Sequence, residues 1–304
     1  MYNEEIKQEY FQTLSENARY GISTTICKYA EVGEPVFNKE LGEFTSGELL
    51  RTAEIQDYVT WSSLASSLTR LSRYHDWYVG KYGGERYARR ELSPYLVDIS
   101  KSMERNLIKD INELNAIIKK LPLGDCDFAL PVAYMSWFGI DVKDAVAIEE
   151  SDILISEDRI DIPSYGISTS DYDVVKVFTD YKNTNSTIKY RRNGQEFFKQ
   201  PGKLFIRPIY TSNSKWSNNS VTTQNVNYAF DRDRSLLDAE AQKFQRKNIF
   251  LSGQLNAART REKENGTLTD SDFKELFGLE SVKRSSDINP YRWMLEMYKK
   301  AFPE

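Results

Sequence analysis

The chain is expected to be mainly α with a small β-sheet, an α+β protein in two domains. Three observations predict this. Apolar residues recur at three- and four-residue spacing through most of the sequence, the signature of helices with one buried face. One central stretch, "ILISEDRIDI" at residues 153–162, alternates as a strand pair does, with Glu157 and Asp158 at its turn. Between the first group of helices and the rest lies "GKYGGERYARRELSP", glycine-rich, charged and closed by proline. With 304 residues, 40% hydrophobic and 13% aromatic, the chain has material for two cores.

The elements follow in order. Glu4 to Asn17 carries Ile6, Tyr10, Phe11 and Leu14 on one helical stripe, and Gly21 to Val32 reads as a second helix. "EPVFNKELGEFTSGELL" is a connection that ends at an N-cap, Thr45 or Ser46, with Glu48 placed for a capping box. Ser62 to Lys81 is the longest pattern here: Leu64, Leu68, Leu71, Tyr74 and Tyr78 mark its core face. These elements make a helical domain over residues 1–85, followed by a linker at 86–92 and a larger domain at 93–304. Helix resumes from Ser93 to Leu121, and Asp127 to Phe138 is an apolar helix stopped at Gly139, a good left-handed C-cap. A short helix from Val142 to Ile148 precedes the strand pair. Asp171 to Asn183 is helical, and Asn183 to Asn227 reads as a long polar loop with few short elements. Ser235 to Asn265 is mostly helical. "TLTDSDFKELFGLES" is an N-capped helix closed by Gly278, and Pro290 to Phe302 is a last amphipathic helix with Trp293, Met294, Met297 and Phe302.

Bulk properties exclude some classes. No apolar run approaches a membrane span. The acidic, amphipathic N-terminus does not read as a signal peptide. Cys27, Cys126 and a sole histidine, His75, are too few soft ligands for a zinc site, and no cofactor is called for. Two cysteines fit a reducing cytoplasm. Net charge is -4, against an all-round nucleic-acid coat but not against a local basic face. The charge is uneven: residues 139–180 are strongly acidic, and residues 182–215 invert the sign.

This order of elements resembles the tyrosine recombinase (phage integrase) superfamily. "MSWFGIDVKDAVAIEESDILISEDRIDI" looks like that family's helix, Gly turn, short helix and first hairpin. "IFLSGQLNAARTREKENGTLTDSDFKELFGLES" looks like its second conserved box. The resemblance covers nearly the whole chain in order of elements but is weak in identities. The N-terminal domain, the "LSG" run and the degenerate boxes are most similar to the master repressors of SPβ-like Bacillus prophages. The resemblance implies a two-domain clamp around DNA, a helical core-binding domain joined to a catalytic-like domain.

Recombinase chemistry needs a tyrosine nucleophile, arginines that stabilise the developing negative charge on phosphate, and a proton donor for the leaving oxygen. Matched to the resemblance, the first arginine position holds Asp141, an anion where a cation is required. No lysine lies between Lys143 and Lys176, where the hairpin lysine belongs. Ser252, Leu255 and Asn256 fall at the second box's His, Arg and His, and Leu279 falls at a further His. Arg259 and Arg261 lie within a turn of that box, and Tyr291 sits near the nucleophile's place. Tyr291 is read as vestigial, and the chain as not an enzyme.

The expected function is therefore sequence-specific DNA binding: a transcriptional repressor of a temperate phage that maintains lysogeny in the cytoplasm of a bacterial host, at the nucleoid. Ser63, Ser66, Ser67, Arg70 and Arg73 form a polar stripe suited to a major groove. Arg86, Arg89 and Arg90 would suit a linker crossing the DNA backbone. Lys182, Lys189, Arg191, Arg192 and Lys215, with Arg259 and Arg261, are the phosphate contacts expected in the second domain. The partners expected are double-stranded operator DNA and either a second copy or a small phage regulatory protein, with no membrane. Two alternatives stand beside this: a divergent active recombinase using Tyr291, and a protein-interaction module using the acidic face.

Overall fold

In a computed structural model, residues 2–121, 127–184, 186–187, 197–199, 201–211, 220–278 and 289–303 are described. Among them are thirteen α-helices and two three-stranded antiparallel sheets. The chain divides into two compact units, residues 1–104 with 283–304, and residues 105–282. This division differs from the sequence boundary at 86–92. The segment after the linker packs back on the first helices, and the last helix joins them.

The first unit is built from α1 (Glu4–Gln12), α2 (Glu16–Phe37), α3 (Ser46–Ile55) and α4 (Trp61–Tyr82). The α3 start is the expected capping box: Thr45 accepts from the Glu48 amide, and the Glu48 carboxylate accepts from the Thr45 amide at 2.7 Å. Thr60 caps α4 by accepting from the Ser63 amide. Leu64, Leu68, Leu71, Tyr74 and Tyr78 are all buried, as the periodicity requires. Beneath them lies a charged cluster that periodicity does not reveal. The Lys7 ammonium, 1% exposed, meets Glu34 at 2.5 Å and Glu40 at 2.9 Å, and the Tyr74 hydroxyl donates to Glu40 at 2.6 Å.

Two further pieces complete this unit. Tyr95, in the 3-10 turn Pro94–Leu96, lies 5.9 Å from the Trp61 ring and 5.9 Å from Trp293. Trp293 belongs to α13 (Pro290–Ala301), which packs on α4 and buries Met294, Leu295 and Tyr298. The last helix is thus covered by this chain.

The second unit centres on α7 (Ala129–Trp137), whose residues are nearly all buried. Around it stand α6 (Ile111–Lys120), α8 (Val142–Ala145), α9 (Tyr172–Asn183), α10 (Thr223–Arg234), α11 (Arg246–Asn265) and α12 (Asp270–Phe277), while α5 (Ser100–Asn106) spans the point of division. α7 and α11 approach each other closely. A Cβ placed on Gly253 would lie 1.8 Å from the Trp137 carbonyl oxygen, so only glycine fits. Gly139, at φ 85°, ends the α7 segment as expected.

The hairpin at 153–162 forms as β1 (Leu154–Ile155) and β2 (Ile160–Ile162), and β3 (Ile167–Thr169) adds a third strand that the sequence pattern does not announce. A second sheet, β4 (Ser186–Thr187), β5 (Phe197–Lys199) and β6 (Ile209–Thr211), occupies the stretch expected to be mostly loop. Its strands are two or three residues long, too short for an alternating pattern to register. Helix was also expected from Ser235, but residues 235–245 are turns and α11 begins at Arg246.

Candidate nucleic-acid interface

The polar stripe expected on α4 is real but narrower than expected. Ser63, Ser66 and Arg73 are exposed. Ser67 is not; it is 7% exposed and sits among the core leucines. Arg70 also leaves the free face. Its guanidinium donates to the Gly21 carbonyl at 2.9 Å and to the Thr25 hydroxyl at 2.8 Å, tying α4 to α2. Its reach toward a base edge is spent on these bonds. Sequence reasoning missed Thr69, which is exposed and completes the series Ser62, Ser66, Thr69, Arg73 at four-, three- and four-residue steps. The same spacing rule could have found it. It also missed Tyr20, 82% exposed on α2 and adjacent to the Gly21 carbonyl that Arg70 holds.

Past α4 the backbone turns at Gly83 and Gly84, both at positive φ, and the segment to Glu91 presents Arg86 and Arg90 to solvent. Arg89 begins a 3-10 turn, Arg89–Leu92. Among the described side chains, Arg86 and Arg90 are exposed basic positions on this segment, and Arg73 and Lys81, the latter paired with Glu9, are exposed on α4.

In the second unit, the positions matched to recombinase chemistry have structural occupations. Asp141 is the N-cap of α8, its carboxylate accepting from the Lys143 amide at 2.9 Å. Ser252 is fully buried; its hydroxyl accepts from the Ile108 amide at 2.9 Å and donates to the Asn248 carbonyl at 2.6 Å. Leu255 is core, and the Asn256 amide donates to the Lys109 carbonyl at 3.0 Å. Leu279 lies outside the described residues.

The two arginines near the box do not present open guanidinium forks. Arg259 is only 9% exposed. Arg261 is held by Glu275 at 2.9 and 3.0 Å and by Asp272 at 3.3 Å. A fork so neutralised has its donors directed at α12 and not at a phosphate. Neither Arg259 nor Arg261, expected as phosphate contacts, is presented openly to solvent in this structure. Tyr291 is half-buried on α13, in the first unit, where burial pushes its phenol up.

The basic run of the second unit is partly internal. Lys199, 6% exposed, donates to the carbonyls of Tyr181 and Lys182, and Arg207 pairs with Glu150 at 2.8 Å. Lys182, in the last turn of α9, is half-buried. Lys189, Arg191, Arg192 and Lys215 lie outside the described residues. By contrast Asp141, Asp144, Glu149, Asp152, Glu157 and Asp158 are all exposed, so the acidic face is a surface.

Comparison with known proteins bears on the first unit. Residues 1–80 match the family model described as MrpR, N-terminal core-binding domain. A curated relative, the SPbeta prophage-derived uncharacterized protein YopR of Bacillus subtilis (strain 168), is 38% identical over 77 residues. That stretch is 25% of this chain and 23% of the relative, so the likeness spans about a quarter of each. The matched segment holds α1 to α3 and most of α4, including every position of the polar stripe. No helix among the described residues is long and apolar enough to cross a membrane.

Proposed function

We propose that the chain is a sequence-specific DNA-binding repressor of a temperate phage, with an integrase-type architecture and no strand-exchange activity. The observation that carries the reading is the core-binding match over residues 1–80, joined to an exposed Ser66–Thr69–Arg73 face within it. A helix that presents hydroxyls and an arginine along one side suits a groove, where arginine pairs with guanine and hydroxyls meet phosphate or base. The prophage-derived relative supports a phage setting, and operator DNA is the proposed partner. Loss of catalysis is supported by the box residues. An N-capping aspartate, a buried serine and a core leucine stand where the resemblance places the catalytic arginines and histidine, and the neighbouring Arg261 is neutralised by Glu275 and Asp272.

A genome-wide map of binding sites in the lysogenic host tests this. Enrichment at discrete prophage sites is expected, and a flat profile overturns it. Tyr291→Phe is expected to leave the map unchanged. Trapping of a covalent adduct on a nicked suicide substrate, lost in Tyr291→Phe, would instead establish the active recombinase. The exposed acidic face favours a second reading, a protein-interaction module. Binding to a protein partner with no sequence-specific DNA shift at moderate salt would establish that one.

A further inference from the structure

The segment after α4 is fastened in an unusual way. It leaves the helix through Gly83 (φ 84°) and Gly84 (φ 124°), two consecutive residues in backbone that side chains disfavour. It then returns to α4 through Tyr87, whose ring stacks on His75 at 3.7 Å between centroids, and through the Glu85 carbonyl, 3.0 Å from His75 Nε2. Further on, the Ser46 hydroxyl donates to Glu91 at 3.3 Å. Beneath the segment is a cavity of about 600 Å³, walled by Phe44, His75, Tyr78 and Tyr87 with Glu43 and Arg86 at its side.

The fastening buries polar atoms without satisfying them. His75 is 4% exposed, and the Tyr87 hydroxyl is buried with no hydrogen-bond partner among the described residues. That hydroxyl, with the burial of the His75 ring, is a cost of docking that hydration on release would remove. The aromatic stack opposes that cost. The balance is set by one ring whose charge can change.

We propose that residues 83–91 are a releasable strap, docked on α4 while the His75 ring is neutral and freed when that ring takes up a proton. The groups around the ring agree. Burial holds His75 below the ordinary histidine range, and the Arg86 cation adds to that. The Glu85 carbonyl, the nearby Gly42 backbone and Asp76 pull the other way and are outweighed. Glu43 and Tyr78 face the same cavity, bonded to each other at 3.3 Å, and Glu91 also lines it. The sign follows. A released ring titrates near the ordinary value of about 6.5, so docking is complete above it and is lost as pH falls through that value toward the docked one. The strap carries Arg86 and Arg90, but its release does not depend on the chain binding DNA.

The test uses the full chain, whose sole histidine gives one imidazole signal. Proton resonance titration is expected to place His75 below about 6.5 in the wild type and at the ordinary value in Tyr87→Ala, where the stack is gone. Tryptic cleavage after Arg86 and Arg90 is compared with that of Tyr87→Ala at each pH, which cancels the protease's own pH profile. Between about pH 7.5 and 5.5 the wild-type rate is expected to rise severalfold toward the variant's. His75→Phe keeps a stacking ring and cannot titrate, so its strap is expected to stay protected throughout. It serves as the reference if Tyr87→Ala does not fold. An ordinary wild-type titration overturns the proposal. So does a lowered one without pH-dependent cleavage, or cleavage that rises equally in His75→Phe.

Discussion

Arg70 and Arg73 are three residues apart on one helix, and the structure gives them opposite surroundings. Arg70 donates to the Gly21 carbonyl and the Thr25 hydroxyl, whereas Arg73 is exposed. Arg73→Ala is expected to weaken operator binding by about tenfold or more in a gel-shift titration, with the unfolding curve unchanged. Arg70→Ala is expected to lower stability by roughly 1–3 kcal/mol, through two lost charge-assisted bonds. The same contrast holds at Lys7. Its ammonium is the cation that offsets the buried Glu34 and Glu40 carboxylates, which also accept from the Leu41 and Gly42 amides. Burial pushes the Tyr74 phenol up, and Glu40 adds to that, so the hydroxyl stays a donor. Lys7→Met removes the cation and leaves the anions. The expected cost is about 3–5 kcal/mol, read from urea unfolding. Helical periodicity does not single out Lys7, because its partners lie 27 and 33 positions away. Asp141 carries two compatible readings. Read against a recombinase motif it is a missing arginine, and read locally it is an aspartate preceding "VKDA", a cap that helix physics alone supplies.

Elements were most legible where their determinants are local. Thr45 with Glu48, Thr269 with Asp272, Gly139 and Gly278 fix helix ends within a few residues, and all four act as their types predict. β3 and the second sheet were not legible, since their strands of two or three residues are held by pairing across the sheet and not by a pattern of their own. The "LSG" run lies between these cases. Its leucine and serine are buried in α11, and its glycine is the point where α11 meets the Trp137 carbonyl of α7. No spacing rule shows that approach, because it joins residues 137 and 253. Gly253→Ala retains helix propensity and even improves it, by up to about 1 kcal/mol in an open helix. Here the added methyl collides with backbone that cannot rotate away, so the helices must separate. The expected result is a net loss of about 1–3 kcal/mol or more in equilibrium unfolding. An alanine variant as stable as the wild type would show that α7 and α11 stand farther apart.

At the scale of the molecule, the chain's last helix belongs with its first. Sequence displayed the apolar face of α13 through Trp293, Met294, Met297 and Phe302, and left its partner open between this chain and a second one. The structure places it on α4, some 210 residues earlier, with Leu295 1% exposed and Trp293 edge-on to Tyr95. Nothing local encodes such a pairing. Lys300 pairs with Asp98 beside it. Burial alone would raise that carboxyl, but Lys300 and the Ser100 hydroxyl and amide outweigh it and hold it at about 2. A depressed carboxyl stabilises above its ordinary value, near 4, and loses that contribution as pH falls toward about 2. The pair is largely solvated, so its worth is under about 1 kcal/mol. The burial of Met294, Leu295 and Tyr298 is the larger contribution expected. Leu295→Ala is expected to cost about 2–5 kcal/mol in the first unit, whereas Asp98→Asn costs little at neutral pH and flattens the loss of stability below pH 4. Both are read from thermal unfolding followed by tryptophan fluorescence. If Leu295→Ala left stability untouched but changed the oligomeric state, the helix would be docking on a second copy instead.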